Sequence, residues 1–129
     1  MNPIRTLLVD DSPGFLDVTL HFLWRDKRFE VVGCCLSGAS ALEQVADLRP
    51  SLVLMDLAMP GMNGLEATCR IKKSANPPRI VMLTLFDNSE YREAAKQAGA
   101  DAFVAKHDLH TDLVPVVLSM FPEKITPDG

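Results

Sequence analysis

Cysteine is scarce in this chain, long apolar runs are missing, and there is no excess of positive charge. The three cysteines are Cys34, Cys35 and Cys69. Two adjacent residues and one distant one make neither an even disulfide set nor a zinc-ligand spacing, so they read as small buried hydrophobes in a reducing compartment. No apolar stretch approaches the roughly 20 residues that a membrane-spanning helix needs. Met1, Asn2 and Pro3 lead straight into a strand-like run, so no signal peptide is expected and a cytoplasmic location is the expectation. Lys and Arg number 13 against 17 Asp and Glu, a formal charge of −4, which is not the basic footprint of a domain that grips nucleic acid by itself. Internal repeats, low-complexity stretches and linkers are also missing.

What is present has ordinary globular proportions. With 129 residues, 47% hydrophobic and 23% charged, the chain has the size and composition of one self-sufficient domain. Residues 1–122 are expected to form it, and residues 123–129 a short flexible tail.

Five short apolar runs alternate with longer segments of helical spacing. The runs are Ile4 to Val9, Val31 to Leu36, Leu52 to Met55, Ile80 to Leu83 and Ala102 to Ala105. They lack strict polar alternation, which suits strands buried on both faces of a parallel sheet. Ser12 and Pro13 supply a cap and a first-turn proline for a helix expected to bury Phe15, Val18, Phe22 and Leu23. A second helix is expected over Ala39 to Leu48, ending before Pro50. Asn63 with Glu66, and Asp87 with Glu90, read as capping boxes for the third and fourth, and Gly99 as the left-handed residue closing the fourth. The fifth falls within Leu109 to Phe121. Regular alternation with short connections predicts an α/β fold with one doubly wound sheet, helices on both faces.

The polar residues that break this pattern sit at strand ends. Asp10 and Asp11 close the first strand, Asp56 the third, Thr84 the fourth and Lys106 the fifth. In an open parallel sheet these carboxyl ends share one rim, where ligands bind. Singly, each has a plain explanation: an acidic pair caps a turn, a lysine is solvated, a threonine satisfies backbone. Together they converge on one pocket. Two carboxylates about 4 Å apart repel by on the order of 4 kcal/mol at an effective dielectric of about 20. Lys106 or a hard divalent ion would relieve that, and Mg²⁺ suits one or two carboxylates plus phosphate oxygens. A carboxylate so placed is a workable nucleophile toward phosphorus.

On these residues the chain resembles the receiver domain of bacterial two-component response regulators. The resemblance lies in Leu7 to Asp11, Val53 to Gly64, Met82 to Thr84 and Gly99 to Lys106, and extends from about Ile4 to about Leu118. It implies a flavodoxin-like sheet of order 2-1-3-4-5 with five helices. It further implies Asp56 as phosphoacceptor, and Mg²⁺ held directly by Asp11, Asp56 and the Ala58 carbonyl and by Asp10 largely through water. Thr84 and Lys106 would contact the phosphoryl group, and Phe103 would be the rotating aromatic of the switch. The donor would be a sensor histidine kinase or a phosphotransfer protein. The output would be a partner or a homodimer on the face of the fourth helix, fifth strand and fifth helix, in phosphorelay control of transcription.

Thr84 to Arg92 and Gly64 to Thr68 are most similar to receivers of nitrate-response and quorum-response type regulators. Those usually carry a helix-turn-helix domain, to which any DNA contact would belong. Ala58 and Phe86, two residues beyond Asp56 and Thr84, are apolar and cannot orient a hydrolytic water, so slow self-dephosphorylation is expected.

Two departures stand out. His107 follows Lys106 where the family often has proline; His107 and His110 read as surface residues. Pro115 falls inside the fifth helix, so that helix should either start late, capped by Thr111 or Asp112, or kink. The apolar arc of Val116, Val117, Leu118, Met120 and Phe121 fits a well-buried helix better than an exposed patch.

Rival readings fit less well. A haloacid-dehalogenase-type phosphatase would need a second aspartate where Ala58 stands. A flavin carrier would need a phosphate loop where Asp10 and Asp11 repel phosphate. A receiver that binds partners without being phosphorylated stays open.

Overall fold

A computed structural model describes residues 2–124. In chain order the elements are β1 (Ile4–Val9), α1 (Pro13–Trp24), β2 (Phe29–Cys35), α2 (Gly38–Leu48), β3 (Leu52–Asp56), α3 (Gly64–Lys72), β4 (Arg79–Thr84), α4 (Ser89–Ala98), β5 (Ala102–Ala105) and α5 (Leu109–Met120). Short 3₁₀ turns at Lys106–Asp108 and Pro122–Lys124 flank α5. The rest of the expected tail, residues 125–129, lies outside the described residues.

The five strands form one sheet of order β2-β1-β3-β4-β5, every pairing parallel. This is the flavodoxin-like order expected from the sequence.

Because side chains alternate across a strand, each strand feeds two cores. Ile4 and Leu8, Leu52 and Leu54, Val81 and Leu83, and Val104 pack with α1 and α5. Leu7 and Val9, Val53 and Met55, and Ile80 and Met82 pack with α2, α3 and α4. Continuous apolar runs are therefore what a two-sided sheet requires.

Capping fixes where most helices begin. Ser12, Ser37, Asn63 and Asn88 each accept a hydrogen bond from the backbone N–H three residues on. At the fourth helix the cap is Asn88, one residue later than the Asp87 box expected from the sequence. Asp87 instead takes the Arg92 guanidinium, with contacts of 2.6 and 3.1 Å. Gly99 closes α4 at φ +103, as expected. Arg49 ends α2 in the same left-handed region, just before Pro50.

Other expectations need correction. Val18 is 47% exposed; the side of α1 that faces the core is Leu16, Thr19 and Leu23, with Phe15 and Phe22 half-buried. The second strand begins two residues earlier than expected, at Phe29, where the chain pairs with Ile4. Of the cysteines only Cys35 is buried; Cys34 is exposed because alternation turns it away from its neighbour.

The fifth helix does not start late. It runs from Leu109 with Pro115 in its interior, and neither Thr111 nor Asp112 caps it. Pro115 lies on the exposed side, and the buried Leu109, Leu113 and Val117 dock the helix despite it. Val116, Leu118, Met120 and Phe121 are half-buried, so α5 is a docked helix and not an open apolar patch.

Candidate functional site

The strand register brings the pointed residues to one rim. Val9 pairs with Met55, Asp56 with Leu83, and Thr84 with Ala105. The next residues after β1 and β5, Asp10 and Lys106, therefore emerge beside Asp56 and Thr84. Asp10, Asp11, Asp56 and Lys106 come together, Thr84 ends the neighbouring strand β4, and β3 is held to its place by the Leu57 N–H bonding to Leu83 O at 2.9 Å.

Asp10, Asp11 and Asp56 each offer an oxygen within 4.8 Å of the others. Asp10 and Asp56 are buried, at 2% and 5% exposure, and Asp11 faces solvent. Lys106 Nζ lies 2.7 Å from Asp10 Oδ2 and 3.3 Å from Asp56 Oδ1, so one ammonium serves two carboxylates. Burial and the Asp10 charge raise the Asp56 acid to about 6, partly opposed by Lys106, with Asp11 adding a smaller upward push. Three carboxylates are thus gathered around a single cation of the chain's own, Lys106.

Asp10 anchors the cluster. Its Oδ1 accepts from the Ser12 N–H at 2.9 Å, which also sets the turn into α1. Its Oδ2 is close to Lys106 in charge but has no aligned hydrogen bond. A buried carboxylate oxygen without one, next to two more hard oxygen donors, is the donor chemistry that fits a divalent cation such as Mg²⁺. Ala58, expected to lend its carbonyl, is an exposed residue of the loop after β3.

Thr84 is buried at the end of β4, and its Oγ1 accepts from the Phe86 N–H at 3.1 Å. The hydroxyl proton remains to donate elsewhere. Phe103 alternates onto the α4 side of the sheet, where Arg92 lies 4.6 Å above its ring. That guanidinium is the one held by Asp87.

Three contributors escaped the sequence reading. Phe15, expected only as core, puts its ring 4.3 Å from Lys106 Nζ and so walls the ammonium on its third side. Gly64 lies against the backbone of Asp56, where a Cβ would overlap the Asp56 carbonyl oxygen. Arg92 covers the aromatic. A glycine directly after the Asn63 cap was the one visible signal, since an ordinary first helical turn does not need one. The other two contacts join residues far apart in sequence.

Comparison with known proteins places the fold in a family. Residues 6–117 match the family described as response regulator receiver domain. A protein-glutamate methylesterase/protein-glutamine glutaminase 5 of Myxococcus xanthus is 41% identical over 82% of this chain and 31% of its own length. The response regulator protein VraR of Staphylococcus saprophyticus is 36% identical over 89% of this chain and 55% of its own. Among solved structures, a LuxR-family two-component response regulator from Aurantimonas sp. SI85-9A1 superposes with a TM-score of 0.88 at 28% identity, covering 95% of this chain and 87% of that one. The chain thus spans between a third and about half of the curated relatives' lengths.

Proposed function

The chain belongs to the response regulator receiver domain family, and from that premise we propose that residues 1–122 act as a phosphorylation switch with Asp56 as acceptor. The observation that carries this is the pairing of a buried, crowded Asp56 with a single lysine shared between it and Asp10.

In the proposed step an Asp56 carboxylate oxygen attacks the phosphorus of a phosphohistidine on a sensor kinase or phosphotransfer protein. The new O–P bond forms as the P–N bond breaks, and the imidazole leaves with the electron pair. Lys106 is positioned to neutralise one phosphoryl oxygen, held off a random course by Asp10 and Phe15. Thr84 donates its free hydroxyl proton to another. Mg²⁺ bound by Asp10, Asp11, Asp56 and the Ala58 carbonyl would supply charge neutralisation for the developing phosphoryl oxygens.

The signal then passes through Thr84. Phosphorylation adds roughly two negative charges, which draw the hydroxyl inward and disturb its bond to the Phe86 N–H. The space left invites Phe103, which must exchange its Arg92 cover for the interior. The face of α4, β5 and α5, where Leu85, Phe86 and Tyr91 are exposed, changes shape for a downstream partner. Coupling of this kind is worth about 1–3 kcal/mol.

The test is intact mass after incubation with Mg²⁺ and acetyl phosphate. A gain of one phosphoryl group, prevented by prior chelation and absent in Asp56→Asn, is the expected result. No gain, from acetyl phosphate or from kinase-borne phosphohistidine, would leave a receiver fold that binds partners without phosphorylation. Because Ala58 and Phe86 offer no group to orient water, the acyl phosphate should outlast removal of the donor by minutes or more. Loss within seconds would contradict that.

A further inference from the structure

Gly38 opens α2 although nothing in the helix's own geometry asks for a glycine. Its φ is not positive, and glycine is the poorest helix former after proline. The reason lies across space, in the loop between β3 and α3. A Cβ on Gly38 would stand 2.6 Å from the Met62 carbonyl oxygen and 3.2 Å from Met62 Cγ. The first turn of α2 therefore meets the backbone of that loop directly, and Gly38 is buried.

The same loop is tied to the acidic cluster at both ends. Leu57 and Met59 are buried on either side of the exposed Ala58. The Gly64 N–H closes the loop onto the Leu57 carbonyl at 2.9 Å. Two residues beyond Met62, Gly64 rests on the Asp56 backbone. A displacement at Met62 thus has two ways to the cluster, backward to the Ala58 carbonyl and forward through Gly64 to Asp56. Each glycine admits one part of the loop to a surface that a Cβ would keep away.

We propose that Gly38 is a positioning residue for the divalent ion and for Asp56, with the first turn of α2 as the wall against which the loop is set. This rests on the reading of Asp56 and the Ala58 carbonyl given above; Gly38 is argued to act through Met62. A methyl group on Gly38 meets backbone, which cannot rotate away, so the helix or the loop must yield. The helix is held by Ala41, fully buried in the core, and by the Ser37 hydroxyl, which accepts from the Ser40 N–H at 3.1 Å. The loop is the side that moves.

Mg²⁺ titration of the full chain, followed by amide resonances, tests this in the wild type, Gly38→Ala, Met62→Ala and Val117→Ala. Gly38→Ala should weaken Mg²⁺ binding by about tenfold. Its metal-free resonances from Leu57 to Gly64 should already be displaced. Met62→Ala introduces no overlap and removes the side chain that leans on α2, so it should shift affinity the same way by less. With acetyl phosphate as donor, Gly38→Ala should need more Mg²⁺ for half-maximal phosphorylation. Val117→Ala removes buried atoms from the core on the other side of the sheet. It should lower the denaturation midpoint and leave Mg²⁺ affinity unchanged. A wild type that binds no Mg²⁺ would overturn the metal reading and this inference with it. Wild-type binding that neither Gly38→Ala nor Met62→Ala weakens, or that Val117→Ala weakens as much, would overturn this inference alone.

Discussion

At Asp56, burial and the Asp10 carboxylate raise the acid to about 6 against the pull of Lys106. A carboxylate raised above its unfolded value reverses the usual sign of acid linkage. The penalty is absent at pH below the ordinary aspartate range, grows as pH rises toward 6, and is fully present above. Asp56→Asn removes a charge that is crowded only in the folded state and leaves Lys106 paired with Asp10. In chelator at neutral pH the variant should be more stable by on the order of 2 kcal/mol. Below the ordinary carboxylate range the gain should vanish, and urea denaturation at the two pH values measures both. Equal stabilisation at both would point to packing as the cause.

Elements respond to backbone constraints that no side-chain contact reveals. The N-terminus of α3 rests on the strand end carrying Asp56, and only a residue without Cβ fits at Gly64. The obstacle is backbone, which cannot rotate away, so Gly64→Ala should cost about 3 kcal/mol and slow phosphorylation by displacing Asp56. Thermal unfolding and the rate of mass gain give the two readouts; a variant of normal stability would mean that α3 can shift freely. Pro115 acts in the opposite direction. It deprives the Thr111 carbonyl of its helical donor in the middle of α5. An alanine there restores the bond, worth about 3 kcal/mol, but gives back up to about 1 kcal/mol of unfolded-chain entropy. A net stabilisation of about 2 kcal/mol is expected for Pro115→Ala by chemical denaturation.

For the molecule as a whole, the question is how a charge added at one rim reaches a face built on α4, β5 and α5. The proposed route uses two side chains on the same side of the sheet, Thr84 and Phe103, and one latch between Asp87, Arg92 and the Phe103 ring. Thr84→Ala should still accept a phosphoryl group, since Asp56 and Lys106 are untouched. The phosphorylation-dependent changes in amide resonances of Phe103 and α4 should shrink sharply. Full-sized changes in that variant would mean that the signal leaves Asp56 by another path.

Most of the architecture was legible in one dimension. Five apolar runs, the punctuation between them and the acidic or hydroxylic residues at their ends already implied a two-sided parallel sheet with a shared polar rim, because strand length, burial and alternation are local properties. The cluster of Asp10, Asp11, Asp56, Thr84 and Lys106 followed from that topology and from the family resemblance. Helix starts at Ser89 and Leu109 were less legible, since two adjacent polar residues compete for the fourth helix's cap and docking of Leu109, Leu113 and Val117 holds α5 together despite its proline. The tertiary structure alone decided which face of α1 turns outward, leaving Val18 and Trp24 exposed. It also decided that Phe15 covers Lys106, that Arg92 covers Phe103 and that Asp56 shares its cation with Asp10. Those contacts join residues brought together only when the sheet closes, and their energies depend on the burial that closure creates.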